Sequence, residues 1–261
     1  MRHLRIPLVL ISLLFAAVVT AQPAPARLTW VRYYDVMPGK SEDFLRLMRE
    51  SSQATFDRLV ATKTIAGWGV AVPMTHTEAP WTHVIYITAN DWSAMEKIVG
   101  AFEAAEMNRP AAEAKRLDEQ EAGIIRSGSL RDVILQHLVQ STAPPSAKPR
   151  YLGVDTYVIK SGRDGDALGL FNEWAQPLFT SVAAKGKLGP WGFSSQNVAL
   201  DGAWTHMVWY FMSDLGALDD FDSAMTALGA GKNRAYDVRL RDLSEPEKHR
   251  SQILRVISSV P

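Results

Sequence analysis

Cysteine is absent from all 261 residues. Its absence rules out disulfides, thiolate metal sites and lipid attachment through a cysteine, so the folded chain stands on its core alone. An excess of charge of either sign is lacking too, with 28 Lys and Arg against 28 Asp and Glu. That balance lends no support to nucleic acid or an acidic membrane surface as partner, since both need a basic footprint. Gly-x-Gly-x-x-Gly, the Walker loop, the Gly-x-Ser-x-Gly elbow and His-Glu-x-x-His do not occur. Nucleotide binding, serine hydrolysis of that type and zincin chemistry therefore have no sequence support. With 47% hydrophobic and 21% charged residues, the chain has the composition of a globular protein of one or two domains.

What is present is a repeat. Trp81-Thr82-His83 returns 123 residues later as Trp204-Thr205-His206, and each follows a Trp-Gly pair, Trp68-Gly69 and Trp191-Gly192, displaced by the same interval. At that offset Val31 meets Val154, Tyr34 meets Tyr157, Gly39 meets Gly162, Glu50 meets Glu173, Phe56 meets Phe179 and Asp91 meets Asp214. A gap-free register of this length reads as a tandem duplication.

The N-terminus has the layout of a secretory signal peptide. Arg2, His3 and Arg5 precede an apolar run from Ile6 to Val19, and Val19-Thr20-Ala21 offers small residues for cleavage before Gln22. The run is shorter than the roughly 20 apolar residues needed to span a bilayer. Export to the periplasm or the medium is expected, with no membrane contact after cleavage. Residues 1–21 are thus the leader, 22–141 the first unit, 142–149 a Pro-rich linker and 150–261 the second unit.

Within the first unit, Leu28 to Met37 is rich in aromatic and β-branched residues and stops at Pro38-Gly39, which predicts a strand and a turn. Ser41, Glu42 and Asp43 open a helix with Phe44, Leu47, Met48, Thr55, Phe56 and Leu59 on one stripe. Strands are expected from Trp68 and over Trp81 to Thr88. A second helix begins near Asp91, a polar helix-prone stretch follows, and a last strand covers Asp132 to Val139. The second unit repeats this with a strand over Tyr151 to Lys160, a helix near Asp164, strands from Trp191 and over Trp204 to Met212, a helix near Asp214 and a strand over Gln252 to Ile257. The order β-α-β-β-α-β is the ferredoxin-like unit. Each such sheet leaves one face bare, and two units in one chain can bury their bare faces on each other. The expected class is α+β, with the two units packed sheet to sheet as a barrel.

These residues also carry a resemblance. The run Val36-Met37-Pro38-Gly39-Lys40 opening a helix at Phe44, then Gly67-Trp68-Gly69 and the strand Trp81 to Tyr86, resembles the dimeric α+β barrel superfamily, with its antibiotic-biosynthesis-monooxygenase-like and NIPSNAP-like members. The resemblance covers about Leu28 to Gln140 and Arg150 to Val260. It implies the fold, and activities ranging from cofactor-free oxygenation, isomerisation or cyclisation to haem chemistry and non-catalytic binding; fold does not fix function.

Strand alternation sorts the side chains by face. If Thr82, Val84, Tyr86 and Thr88 lie under the helices, then Trp81 and His83, with Trp204 and His206, point between the sheets. A matching choice in the first strands sends Arg32, Tyr34, Asp155 and Tyr157 inward, and Arg255 joins them from the last strand. The expected site is an aromatic pocket for a small aromatic or amphiphilic molecule. His83 and His206 are its candidate general bases, and Arg32, Tyr34, Trp81, Asp155, Tyr157, Trp204 and Arg255 its ligand-binding groups. No cofactor and no metal are assigned. Haem on a wall histidine, and a metal between the two histidines and Asp155, are alternatives of the same placement. In the rival reading Trp-Thr-His packs the core, the barrel is filled and the chain is a non-enzymatic interaction module. His76, His137 and His249 have no equivalents and are expected in solvent.

Overall fold

The computed structural model describes residues 27–75, 80–141, 148–198 and 203–260. The expected leader, the segment up to residue 26, His76 and residues 142–147 of the linker lie outside them. Among the described residues the first unit runs β1 (Leu28–Tyr34), α1 (Ser41–Met48), α2 (Ala54–Ala61), β2 (Ile65–Pro73), β3 (His83–Ala89), α3 (Trp92–Met107), α4 (Ala111–Ala122) and β4 (Arg131–Gln140). The second runs β5 (Tyr151–Tyr157), α5 (Asp164–Leu170), α6 (Gln176–Ala183), β6 (Leu188–Val198), β7 (His206–Met212), α7 (Gly216–Leu228), α8 (Ala230–Leu243) and β8 (Arg250–Val260).

Local chemistry sets these boundaries. The turns after β1 and β5 place Gly39 and Gly162 at φ of +77° and +76°, a left-handed conformation that disfavours any residue with a Cβ. One wider π turn, Arg49–Gln53 or Phe171–Ala175, joins α1 to α2 and α5 to α6. The stripe of Phe44, Leu47, Phe56 and Leu59 is buried against the sheet. Asp91 caps α3, its carboxylate accepting the Ala94 N–H at 2.7 Å, which satisfies a donor that the first turn would otherwise strand.

The strands close into a ring in the order β1-β3-β2-β8-β5-β7-β6-β4. Every neighbouring pair is antiparallel, and the two units join at β2 with β8 and at β4 with β6. Closure removes the free edges that each four-stranded sheet alone would expose. Because β1, β2, β5 and β6 all run one way, their first residues share one rim of the barrel and their last residues the other.

Buried residues fall into three clusters. One lies between the first unit's sheet and its helices, a second between the other sheet and its helices, and a third fills part of the lumen with Val31, Val84, Leu135, Val154, Met207 and Leu254. Both faces of most strands are therefore apolar. No helix among the described residues is long and apolar enough to cross a membrane.

Candidate functional site

The repeated Trp-Thr-His sits where β3 and β7 begin. Thr82 N–H donates to the Tyr34 carbonyl at 2.8 Å, and the Thr82 hydroxyl accepts the Val36 N–H at 2.8 Å. Thr205 repeats this, with 2.8 Å to the Tyr157 carbonyl and 2.8 Å from the Ile159 N–H. The threonine thus ties the start of β3 or β7 to the chain as it leaves the neighbouring strand, β1 or β5. Its hydroxyl also meets the ring beside it, Nδ1 of His83 at 2.9 Å and Nδ1 of His206 at 3.0 Å.

Both histidines are 2% exposed and lie on the helix side of the sheet. His83 packs against Phe44 of α1 at 4.8 Å and His206 against Phe193 at 5.3 Å. Burial pushes His83 down to about 4. Burial also lowers His206, opposed by the Asp164 carboxylate 3.5 Å from its Nε2. That separation marks a charge contact only, since His206 Nε2 has no hydrogen-bond partner among the described residues.

The lumen is open. A cavity of about 1100 Å³ runs through it, lined by Arg27, Thr88 and Lys148 at one rim and by Trp81, Trp204 and Arg250 at the other. Small-molecule pockets commonly occupy about 300–1,000 Å³, so the space is ample for a ligand and the filled-barrel alternative does not describe it. Tyr86 and Trp209 occupy equivalent wall positions, and each ring lies across a glycine of the neighbouring strand. A Cβ on Gly69 would fall 2.2 Å from the Tyr86 hydroxyl, and one on Gly192 would fall 2.6 Å from Trp209 Cζ2. This accounts for both Trp-Gly pairs: the tryptophan packs under the helices and the glycine makes room for a lumen ring.

One side of the lumen carries a hydrogen-bond chain. Trp209 Nε1–H donates to Ser194 Oγ at 2.9 Å, Ser194 Oγ lies 2.7 Å from His137 Nδ1, His137 Nε2 lies 2.9 Å from Thr29 Oγ1, and Thr29 Oγ1 lies 3.1 Å from Thr88 Oγ1. The proton positions follow from the partners. Ser194 is fully buried and, having accepted from Trp209, must donate its own proton to His137 Nδ1 or leave it unmatched. His137 then carries its proton on Nε2 and donates to Thr29, whose hydroxyl shares a hydrogen bond with that of Thr88 in which either can donate. Burial holds His137 down to about 4, and the Arg27 charge acts in the same direction, so the ring is neutral near pH 7. Thr88, at the end of the chain, lines the cavity.

The other unit has no such chain. Matching the pairing of β1 with β4 to that of β5 with β8 sets His137 on Val256, Thr29 on Leu152, Thr88 on Phe211, Ser194 on Ala71 and Trp209 on Tyr86. The hydrogen-bond chain therefore belongs to one wall, and its equivalent positions on the other are held by Val256, Leu152, Phe211, Ala71 and Tyr86.

Neither a protein-family model nor a curated protein sequence matches the chain. Solved structures do match it across both units. A candidate monooxygenase from Fusobacterium nucleatum superposes with a TM-score of 0.61 at 11% identity, over 90% of this chain and 94% of that one. Another from Lactobacillus acidophilus gives 0.59 at 10% identity, over 90% and 96%. An anthrone oxidase-like protein gives 0.52 at 13% identity, over 90% and 93%. The fold is the dimeric α+β barrel. At these identities the likeness speaks for the fold.

In this α+β barrel, most of the residues expected in a central pocket face the other way. Only Trp81 and Trp204 of that set line the lumen. His83, His206, Tyr34 and Tyr157 belong to the helix-covered layers. Arg32 makes a two-pronged contact with Asp132 on the adjacent strand, at 2.7 and 3.0 Å, and Trp30 Nε1–H joins the same carboxylate at 2.7 Å. Asp155, its equivalent, accepts from Ser251 and lies 3.8 Å from His249. The two opposite charges are satisfied on their own sheets and do not meet across the barrel. Arg255 is exposed on the outer face of β8.

The inward assignment of the histidines is therefore corrected. It rested on Tyr86, Trp209 and Phe211 looking like helix-covered residues, whereas those rings wall the lumen. The two histidines lie in separate layers and cannot share a metal with Asp155. Among the described residues no group of three His, Asp or Glu side chains is placed to hold a metal ion. A haem iron on the lumen wall does not fit either, because both ring nitrogens of His137 are already engaged. His249 stacks on Tyr157 at 4.6 Å. His137, expected in solvent, is 8% exposed and the centre of the polar wall. Its signal was in the alternation of Val133, Leu135 and His137 along β4, which sets the histidine in line with two core residues.

Proposed function

We propose that the barrel binds one small, largely apolar molecule in its lumen, with the polar wall of Thr88, Thr29, His137 and Ser194 fixing its orientation. The observation that carries this reading is the open lumen itself, about 1100 Å³ with the hydrogen-bond chain on one wall only. Apolar walls supply affinity through burial, and a few fixed polar groups select the pose. Solvent extraction of the purified chain followed by mass spectrometry should release a bound compound. Val154→Phe, which adds bulk to the lumen wall, should lose that compound while keeping the thermal midpoint within a few degrees. Unchanged ligand content in the filled variant would place the ligand elsewhere and end this reading.

Oxidation of an aromatic substrate without a cofactor is a second reading. It draws on the descriptions of the similar structures as candidate monooxygenases and an anthrone oxidase-like protein, together with the aromatic lining. In that chemistry the Thr88 to His137 chain would hold the substrate oxygen and pass a proton. Anthrone and dioxygen would yield anthraquinone and water. Oxygen uptake with anthrone that exceeds the buffer rate and falls about 10²-fold or more in His137→Phe would support it; no uptake above the buffer rate would remove it. Export is also part of the proposal, supported by the charged, apolar and small-residue regions before Gln22. N-terminal sequencing that begins at Gln22 would support cleavage, and retention of Met1 to Ala21 would count against it.

A further inference from the structure

The first rim, where β1 and β5 begin, is lined by groups that donate. Arg27 and Lys148 stand on the cavity lining there, and neither side chain has a charged or hydrogen-bonded partner among the described residues. Thr88 adds a hydroxyl at the end of the hydrogen-bond chain, and Gln140 an amide, each able to donate. The opposite rim differs. Arg250 also lines the cavity, but its Nη1 is held by the carbonyls of Glu247 and His249 at 2.7 and 2.8 Å, and Arg131 likewise has a partner. Asp132 is the one carboxylate among the described lining residues, and Arg32 and Trp30 already engage it. An end where the described residues offer Arg27 and Lys148 no acceptor, opening on a largely apolar tube, calls for an occupant with an anionic acceptor at one end.

We infer that the lumen takes one anionic amphiphile per chain, its carboxylate at the first rim against Arg27, Lys148 and Thr88 and its apolar body along Leu135, Val154 and Leu254. This rests on the lumen being a binding site and goes on to name its ligand class and the ligand's direction. One polar wall dictates one orientation. The symmetry-related position lacks the two hydroxyls, because Leu152 and Phe211 stand there in place of Thr29 and Thr88. The positive potential reaches the chain itself, since Arg27 helps keep His137 neutral.

The test uses the full chain and three probes with one tail, dodecanoate, dodecanol and dodecylammonium, titrated calorimetrically. Dodecanoate should bind with a stoichiometry of one, about tenfold or more tighter than dodecanol, with dodecylammonium the weakest. Arg27→Gln should bring dodecanoate to the level of dodecanol and leave dodecanol unchanged. Arg250→Gln at the opposite rim should keep the preference intact. Equal affinity for acid and alcohol would overturn the anionic head while leaving the lumen reading standing. Failure of all three probes to bind would remove both. A preference that follows Arg250, or two equivalents per chain, would overturn the orientation.

Discussion

At the scale of single residues, proton uptake by buried histidines sets the response to acid. An unfolded histidine titrates near 6.5, whereas His83 and His137 titrate near 4 in the folded chain, because burial penalises the charged ring. Between those values the unfolded chain binds more protons, so stability is complete above about pH 6.5 and falls as pH drops toward 4. Each of the two contributes about 3 kcal/mol over that interval, with His206 acting in the same direction. The denaturant midpoint should fall steeply from pH 7 to pH 4.5, and His83→Gln, which cannot take up a proton there, should fall less steeply. Parallel curves for parent and variant would show that His83 is not the group responsible. Gly192→Ala belongs to the same scale. Its new methyl would fall 2.6 Å from both Trp209 and the Val139 carbonyl, costing about 1–3 kcal/mol, and thermal melts with Trp209 fluorescence would register both the loss and the displaced ring.

At the scale of elements, the threonine of the repeated motif ties the end of β1 or β5 to the start of its sheet neighbour, β3 or β7. Thr82→Val keeps the shape but removes the acceptor for the Val36 N–H, so it should cost about 1–2 kcal/mol, and Thr205→Val should cost a similar amount. Hydrogen exchange at Val36 and Ile159 would show where the loss falls. Element types and order were legible in the sequence because the helices bury one stripe each and the turns announce themselves through Gly39 and Gly162. Which face of a strand points inward was not legible. Alternation separates two sets of residues but names neither, and in β3 and β7 both sets are apolar: His83, Ile85 and Ile87 pack under helices while Val84, Tyr86, Met207, Trp209 and Phe211 wall the lumen. A sheet wet on one face would have carried its own label. The polar wall is not legible for a related reason, since Thr29, Thr88 and Ser194 are ordinary strand residues until closure of the ring brings β6 beside β4.

At the scale of the whole molecule, neither unit is complete. The first unit alone would present the unpaired backbone of β2 and β4, which β8 and β6 now cover, along with the apolar face that lines the lumen. Expressed as residues 27–141, it should self-associate through those edges, and light scattering should report a dimer or larger species. A well-folded monomer would contradict the shared barrel. The whole chain should instead unfold in one transition, because each sheet supplies the other's missing neighbours.

The covalent link between the units has a further effect on how the lumen can change. In a barrel of two identical chains every substitution arrives twice, so a histidine placed on the wall would bring a second buried histidine across the axis. Here His137 faces the lumen from one wall while Val256 holds the matching place on the other. Each wall can therefore drift at its own pace: one can be retuned for a new occupant while the other, through Leu152, Phe211 and Val256, goes on holding the ring shut.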